Sequence, residues 1–174
     1  MSFYEFEGKQ PVVDSSAFVH PEAVIIGDVS IGCGSYVGAG AILRGDIGSI
    51  VIGSGSNVQE NCVLHTLPDK TTYLHDSAHI GHSTILHSCE ICSYVLIGMG
   101  SVIADDVKIN SECIVGASSL VLFGTQVPPR SMVIGSPAKI TKHINSRHME
   151  HIKESLSIYQ SLAYRNKQSL RKIK

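Results

Sequence analysis

The sequence predicts an all-β fold, a parallel β-helix of hexapeptide repeats about six coils long, followed by one C-terminal α-helix. Three observations predict it. Aliphatic residues recur at every sixth position through most of the chain, glycine follows many of them, and the beat stops near residue 138, where the charge balance reverses and the apolar spacing turns helical. A period of six matches neither the 3.6 of a helix nor the 2 of an ordinary strand. It matches a chain in which one short strand and one tight turn make each repeat.

The beat runs through Val19, Ile25, Ile31, Val37 and Leu43. After three extra residues it resumes at Ile52, Val58 and Leu64, and after four more at Leu74, Ile80 and Leu86. One residue is then dropped, and Ile91, Ile97, Ile103, Ile109, Val115, Val121, Val127 and Val133 complete nineteen slots. These side chains are expected to point inward and fill the axis of a three-sided prism, three hexads to a coil. Small residues are expected at the corners, where backbones pass close or take positive φ. The extra residues at 46–49 and 67–73 are expected as loops thrown out from corners. Ordinary β-crossovers favour the right hand. The left hand expected here rests on likeness to proteins built from such hexapeptides.

Composition agrees with one domain over residues 1–138 and an appendage over 139–174. The 174 residues are 43% hydrophobic, lack Trp and are only 6% aromatic, which suits a core of stacked aliphatics. Residues 1–138 carry five Lys/Arg against thirteen Asp/Glu, and residues 139–174 carry nine against two. In the tail Ile152, Leu156, Tyr159, Leu162 and Ala163 have the spacing of one helical face, so an amphipathic helix is expected to lie back along the acidic prism. A basic tail could instead suggest nucleic acid or membrane. Its charge roughly balances that of the body and no aromatic-interleaved basic patch appears, so neither partner is expected. The opening MSFYEFEGKQ is charged and no stretch approaches 18 apolar residues, so a cytoplasmic protein is expected. Five cysteines in such a chain are expected reduced, with the lone Cys89-x-x-Cys92 read as packed or corner thiols.

Of nine histidines, three fall on the lattice together. His65 follows slot Leu64 and His87 follows slot Leu86, 22 residues apart: one coil of 18 plus the four inserted residues. They should stand one above the other on one edge. His82 lies two residues after slot Ile80 and points away from that pair. One prism does not easily bring all three together, whereas two prisms side by side do. Three neutral imidazoles with an open fourth position is the ligand set of a catalytic Zn²⁺. His20, His75, His79, His143, His148 and His151 are read as merely exposed.

The segments Arg44-Gly-Asp46, Asn57-Val-Gln-Glu-Asn61, His65 and Gly81-His-Ser-x4-His87-Ser-Cys89 resemble the γ-class carbonic anhydrases, and among them the short members encoded in carnitine and phenylacetate degradation operons. Pro11-Val-Val, Phe18-Val-His-Pro21, Ile26-Gly-Asp28, Val115-Gly-Ala-Ser118 and Gly135-Ser-Pro-Ala-Lys139 fit the same subgroup. The resemblance implies a homotrimer with a metal at each interface, zinc with iron or cobalt as alternatives, held by His65 and His87 of one subunit and His82 of the next. It implies that Arg44 pairs across the interface with Asp46 and Glu60, and that Gln59 orients the reacting oxygen. The acidic proton-transfer positions of the best-studied members are here Ile47 and Pro68, so bound metal with slow CO₂ turnover is expected. Tyr159 is a candidate to face the site from the tail helix.

The leading functional expectation is therefore zinc-dependent hydration of CO₂ to bicarbonate, a lyase reaction. A variant uses the same site as an acyl-CoA thioesterase. A second class is a CoA-dependent acyltransferase, for which Gly135-Ser-Pro-Ala-Lys139 speaks and which would use a histidine base without metal. A third is a scaffolding trimer with a residual site.

Overall fold

The computed structural model describes residues 2–173. The chain winds as a left-handed β-helix of about seven coils. Nineteen slots account for six of them. The N-terminal segment adds another, keeping the beat only at Val13: Ser2–Tyr4 pairs in parallel with Val24–Ile26, and Val12–Val13 with Ser30–Ile31.

Every one of the nineteen slot residues is buried, none more than 5% exposed. Full burial of an aliphatic side chain contributes about 1.5–3 kcal/mol, so the axis is the main source of stability. A second inward row, two residues before each slot, holds small or slim residues: Ala23, Ser35, Ala41, Ser56, Cys62, Ala78, Cys89, Ser101, Cys113 and Ser131 are all buried. Cys62, Cys89 and Cys113 are therefore core filling. All five cysteines are free, as expected, with Cys89 packed inside and Cys92 at a corner.

Two corner positions divide the work expected of small residues. Three residues after the slot, φ is positive whether the residue is Gly34, Gly55 and Gly100 or Asn61, Tyr94 and Arg130. One residue after the slot, where coils approach closely, glycine supplies room instead: a Cβ on Gly98 would lie 2.5 Å from the Ala117 nitrogen of the next coil.

The expected corner loops are smaller than the sequence suggests. Residues 46–49 do not leave the prism. They lie inside the long strand Ile42–Ile52, which turns the corner and pairs with Val24–Ile31 through a register shift between Gly27 and Val29. At 67–73 only a turn near Leu67–Lys70 projects, and Thr71–Leu74 is already strand.

The three faces differ in what lies outside. The first presents Val24, Ile42, Val63, Ile85, Val102 and Leu120 in one outward row, and Ile42, Val63 and Ile85 are 37–43% exposed. The second presents Ser30, Val51, Tyr73, Glu90, Lys108 and Gln126. The third carries Phe18, Tyr36, Asn57, His79, Leu96, Ile114 and Met132, and the tail helix covers it.

That helix, α1 (Ser146–Ser169), begins later than residue 139, because Ala138–His143 first forms an antiparallel strand against Ser131–Gly135. Asn145 caps it, its side chain accepting from the His148 amide while His148 returns to the Asn145 amide. Ile152, Leu156 and Ala163 are buried and Tyr159 and Leu162 pack beside them, as the spacing predicts. The contact is mainly apolar, with hydrogen bonds from Gln160 to the Gly55 carbonyl and from Lys167 to the Ser15 and Ala17 carbonyls, and among the described residues no ion pair joins the basic tail to the acidic body. None of the described helices is long and apolar enough to cross a membrane.

Candidate functional site

His65 and His87 end the parallel strands Val63–His65 and Ile85–His87 and are register partners, stacked as the lattice requires. Their rings stand 5.1 Å apart, with His65 Nδ1 3.0 Å from His87 Nε2. Each far nitrogen meets a carboxylate. His65 Nε2 lies 3.0 Å from Asp46 Oδ1, and His87 Nδ1 bonds Asp105 Oδ1. Asp46 also accepts from Arg44 at 2.6 Å and from the Ile47 amide at 3.0 Å. Burial pushes the Asp46 carboxyl up, but the Arg44 and His65 bonds prevail and hold it below the usual range. Asp105 is likewise pushed up by burial and drawn lower by His87.

His82 stands at the opposite edge of the same first face, where its Nδ1 lies 2.6 Å from Glu60 Oε2. Glu60 also accepts from the Tyr36 hydroxyl at 2.8 Å. Both Glu60 and His82 sit two residues past a slot on successive coils, so their meeting follows from the beat. Among the described residues of one chain, His82 does not join His65 and His87 as a group of three metal donors. Within one chain Arg44 pairs with Asp46, and Glu60 is engaged by Tyr36 and His82.

Gln59 is buried, its side-chain amide nitrogen 3.0 Å from Asn57 Oδ1 and 2.8 Å from His79 Nε2. His79 corrects the expectation of an exposed side chain: it is 8% exposed, under α1, and burial pushes its pKa down to about 4. Tyr159 stacks edge-on against Tyr36 and His79 at 5.3 and 5.4 Å. Burial, then the charge of Glu60, pushes its phenol up to about 12, so it stays protonated at neutral pH. Tyr159 therefore sits on the His82 side, where it lines a cavity of about 330 Å³ with Gln59, His79, His82, Leu96 and Ile158. It does not meet His65 or His87.

The donor set fits a divalent metal. Two nitrogens on one tetrahedral ion at about 2.0–2.1 Å stand about 3.3 Å apart, close to the separation of the His65 and His87 nitrogens. A carboxylate behind each imidazole fixes the tautomer and raises ligand basicity. Asp105 is the member that sequence reasoning missed. It sits two residues past slot Ile103, one coil on from His87 but out of step with it, because one residue is dropped between Leu86 and Ile91.

No protein-family profile matches the chain. Curated relatives do. The carnitine operon protein CaiE of Salmonella agona is 43% identical over the whole chain and 88% of the relative, and that of a Proteus strain is 46% identical over 98% of the chain and 86% of the relative. Among solved structures, a hexapeptide transferase family protein from Anaplasma phagocytophilum is 34% identical at TM-score 0.90, covering 93% of this chain and 96% of that one. A Bacillus cereus protein described provisionally as an acetyltransferase is 35% identical at TM-score 0.95, covering 96% and 97%. An N-acyltransferase, AntD of Bacillus cereus, is 22% identical at TM-score 0.71 over 85% of this chain and 90% of that one, a likeness of fold alone.

Proposed function

Since the chain belongs to the family of the carnitine operon protein CaiE, we propose that it is an acyl-CoA thioesterase on a hexapeptide-repeat prism, a homotrimer with one divalent-metal site, zinc foremost, at each subunit interface. The observation that carries the reading is the facing pair of His65 and His87 nitrogens, 3.0 Å apart, each imidazole backed by a carboxylate. The apolar outward row of the first face, uncovered by the chain itself, supports packing against a neighbour. That packing would bring the neighbour's copy of His82 toward His65 and His87. The transferase names of the 34–35% identical structures support an activated acyl group as substrate.

His65, His87 and a neighbour's copy of His82 would hold the metal, which when bound lowers the pKa of a coordinated water to about 7 and polarises a carbonyl. Asp46, Asp105 and Glu60 hold the three imidazoles in one tautomer. Gln59 orients the attacking water or the substrate. Leu96, Met99 and Ile158 give the cavity beside His82 an apolar wall for an acyl or pantetheine chain. Water adds its oxygen to the thioester carbonyl, the carbon–sulfur bond breaks, one water proton goes to the departing thiolate, and the other leaves the new carboxylic acid for solvent. CO₂ hydration also releases one proton per turnover, and Ile47, 44% exposed, and Pro68 offer a relay to neither reaction. The preference for a thioester rests on the transferase names of the 34–35% identical structures and on the apolar wall beside His82.

A second reading, slow CO₂ hydration, is kept because the three carboxylate-backed histidines and Gln59 suit it equally. One experiment separates the readings. Protein purified without chelator is assayed for bound metal, for hydrolysis of a panel of acyl-CoA thioesters, for acyl transfer to amines and for CO₂ hydration. The expected result is thioester hydrolysis that is lost on chelation and restored by Zn²⁺. Hydration without hydrolysis would establish the second reading, and metal-independent transfer to an amine would establish an acyltransferase.

A further inference from the structure

The second face repeats, at its own edge, the device that stacks His65 on His87. His75 follows slot Leu74 and Cys92 follows slot Ile91, and those slots are register partners, so His75 and Cys92 stand one coil apart at the same corner. Glu90, one residue before slot Ile91, reaches the same corner from the outward row. Its Oε1 lies 2.9 Å from His75 Nε2 and 4.0 Å from Cys92 Sγ. Ligand atoms of all three residues lie within 4.8 Å of one another, and they form the one such triad among the described residues.

We propose that His75, Glu90 and Cys92 form a second divalent-metal site of zinc type, separate from the three-histidine site. One imidazole, one carboxylate and one thiolate with an open fourth position is a zinc ligand set, and the thiolate selects against Mg²⁺ and Ca²⁺. The frame is stiff. The His75 amide donates to the Ile91 carbonyl at 2.8 Å and the Cys92 amide to the Ile109 carbonyl at 2.9 Å, so both ligands stand on paired backbone. The Tyr73 ring packs edge-on at 4.4 Å against the imidazole and holds its plane. The site is reachable: His75 and Glu90 side chains are 38% and 36% exposed. A shallow cavity of about 330 Å³ lined by Thr71, Tyr73, His75 and Glu90 adjoins it, with room for water or a small anionic ligand on the open position.

Lys108 shares Glu90 with the triad, its Nζ 3.0 Å from the same Glu90 oxygen that meets His75. A cysteine thiol carries its proton at neutral pH, and the thiolate is the form that ligates. Binding therefore proceeds with a defined exchange. The Cys92 S–H bond breaks, its proton goes to solvent, the sulfur–metal bond forms, and Lys108 leaves Glu90 with its own proton retained. No oxidant or reductant is needed.

The test is a Co²⁺ titration of the reduced full-length protein, read by the near-ultraviolet thiolate-to-Co²⁺ charge-transfer absorption. The three-histidine site has no sulfur ligand and contributes nothing to that band, so the outcome is independent of the function proposed above. The expected result is one thiolate-bound Co²⁺ per chain, retained in Cys33→Ser, absent in Cys92→Ser and weakened at least about tenfold in affinity in His75→Ala. Co²⁺ binding without the band, or a band that survives Cys92→Ser, would overturn the proposal. A second reading needs no variant. Zn²⁺ should slow alkylation of Cys92 in the wild-type chain at least about tenfold, mapped by peptide mass spectrometry, and an unchanged rate would also overturn it.

Discussion

Single residues at the histidine corners carry testable energetics. His79 has a folded pKa near 4 because it is buried beneath Tyr159, while the unfolded chain leaves a histidine near its ordinary value of about 6.5. The unfolded state therefore binds the extra proton between those values, and stability falls as pH drops through that window. From pH 7 to pH 5 the loss assigned to His79 is about 2 kcal/mol. Urea unfolding of wild type and His79→Gln at the two pH values checks it: the variant should lack that share of the acid loss, and parallel losses would refute the assignment. Asp105 acts through His87, so Asp105→Asn should weaken metal binding about 10- to 100-fold while leaving circular dichroism unchanged. Equilibrium dialysis against Zn²⁺ measures the first. An unchanged affinity would show that the Asp105 bond is merely a surface contact.

At the scale of elements, the rungs and the helix answer to different forces. Leu86 lies wholly inside the axis, so Leu86→Ala should cost about 2–5 kcal/mol, measurable as a lowered denaturant midpoint. Ile85, its neighbour, points out of the first face at 43% exposure. Ile85→Asp should leave the prism folded, since nothing inward changes, yet reduce association. Sedimentation showing an unaltered oligomer would remove the first face from the proposed interface. The same two residues show what was legible in sequence. Leu86 is on the beat, and its burial could be read directly. Ile85 is one place off the beat, where outward residues are aliphatic on the first face, mostly polar on the second and mixed on the third. Only the docking of α1 decides which face is covered. That is why His79 read as exposed and is buried, and why Ala138–His143, without a hexad, was read into the tail instead of as a strand. The pairing of Glu60 with His82 was available from the count, since both sit two places past a slot. Asp105 was hidden by the residue dropped between Leu86 and Ile91, which shifts that corner by one.

For the molecule as a whole, the division of His82 from His65 and His87 across the first face makes the proposed site a property of the assembly. Chains carrying His82→Ala and chains carrying His65→Ala should each bind metal poorly at that site, and mixing them under conditions of subunit exchange should restore part of it. Some interfaces then join intact His65 and His87 to an intact neighbouring His82. Full metal occupancy of the three-histidine site in a monomer would refute the arrangement.

The antiparallel return of Ala138–His143 along Ser131–Gly135 has a consequence for the life of the protein in a crowded solution. A stack of parallel rungs ends in a row of unpaired amides and carbonyls, and that row can template the first coil of another molecule. Here the last rung of the third face is occupied by a strand running the wrong way to be continued, and its chain leads straight into α1. The return thus closes one of three last rungs, while Leu120–Val121 and Gln126–Val127 end the other two faces with a strand neighbour on one side only. Removing the return while keeping the coils should open the third rung as well and raise end-to-end association.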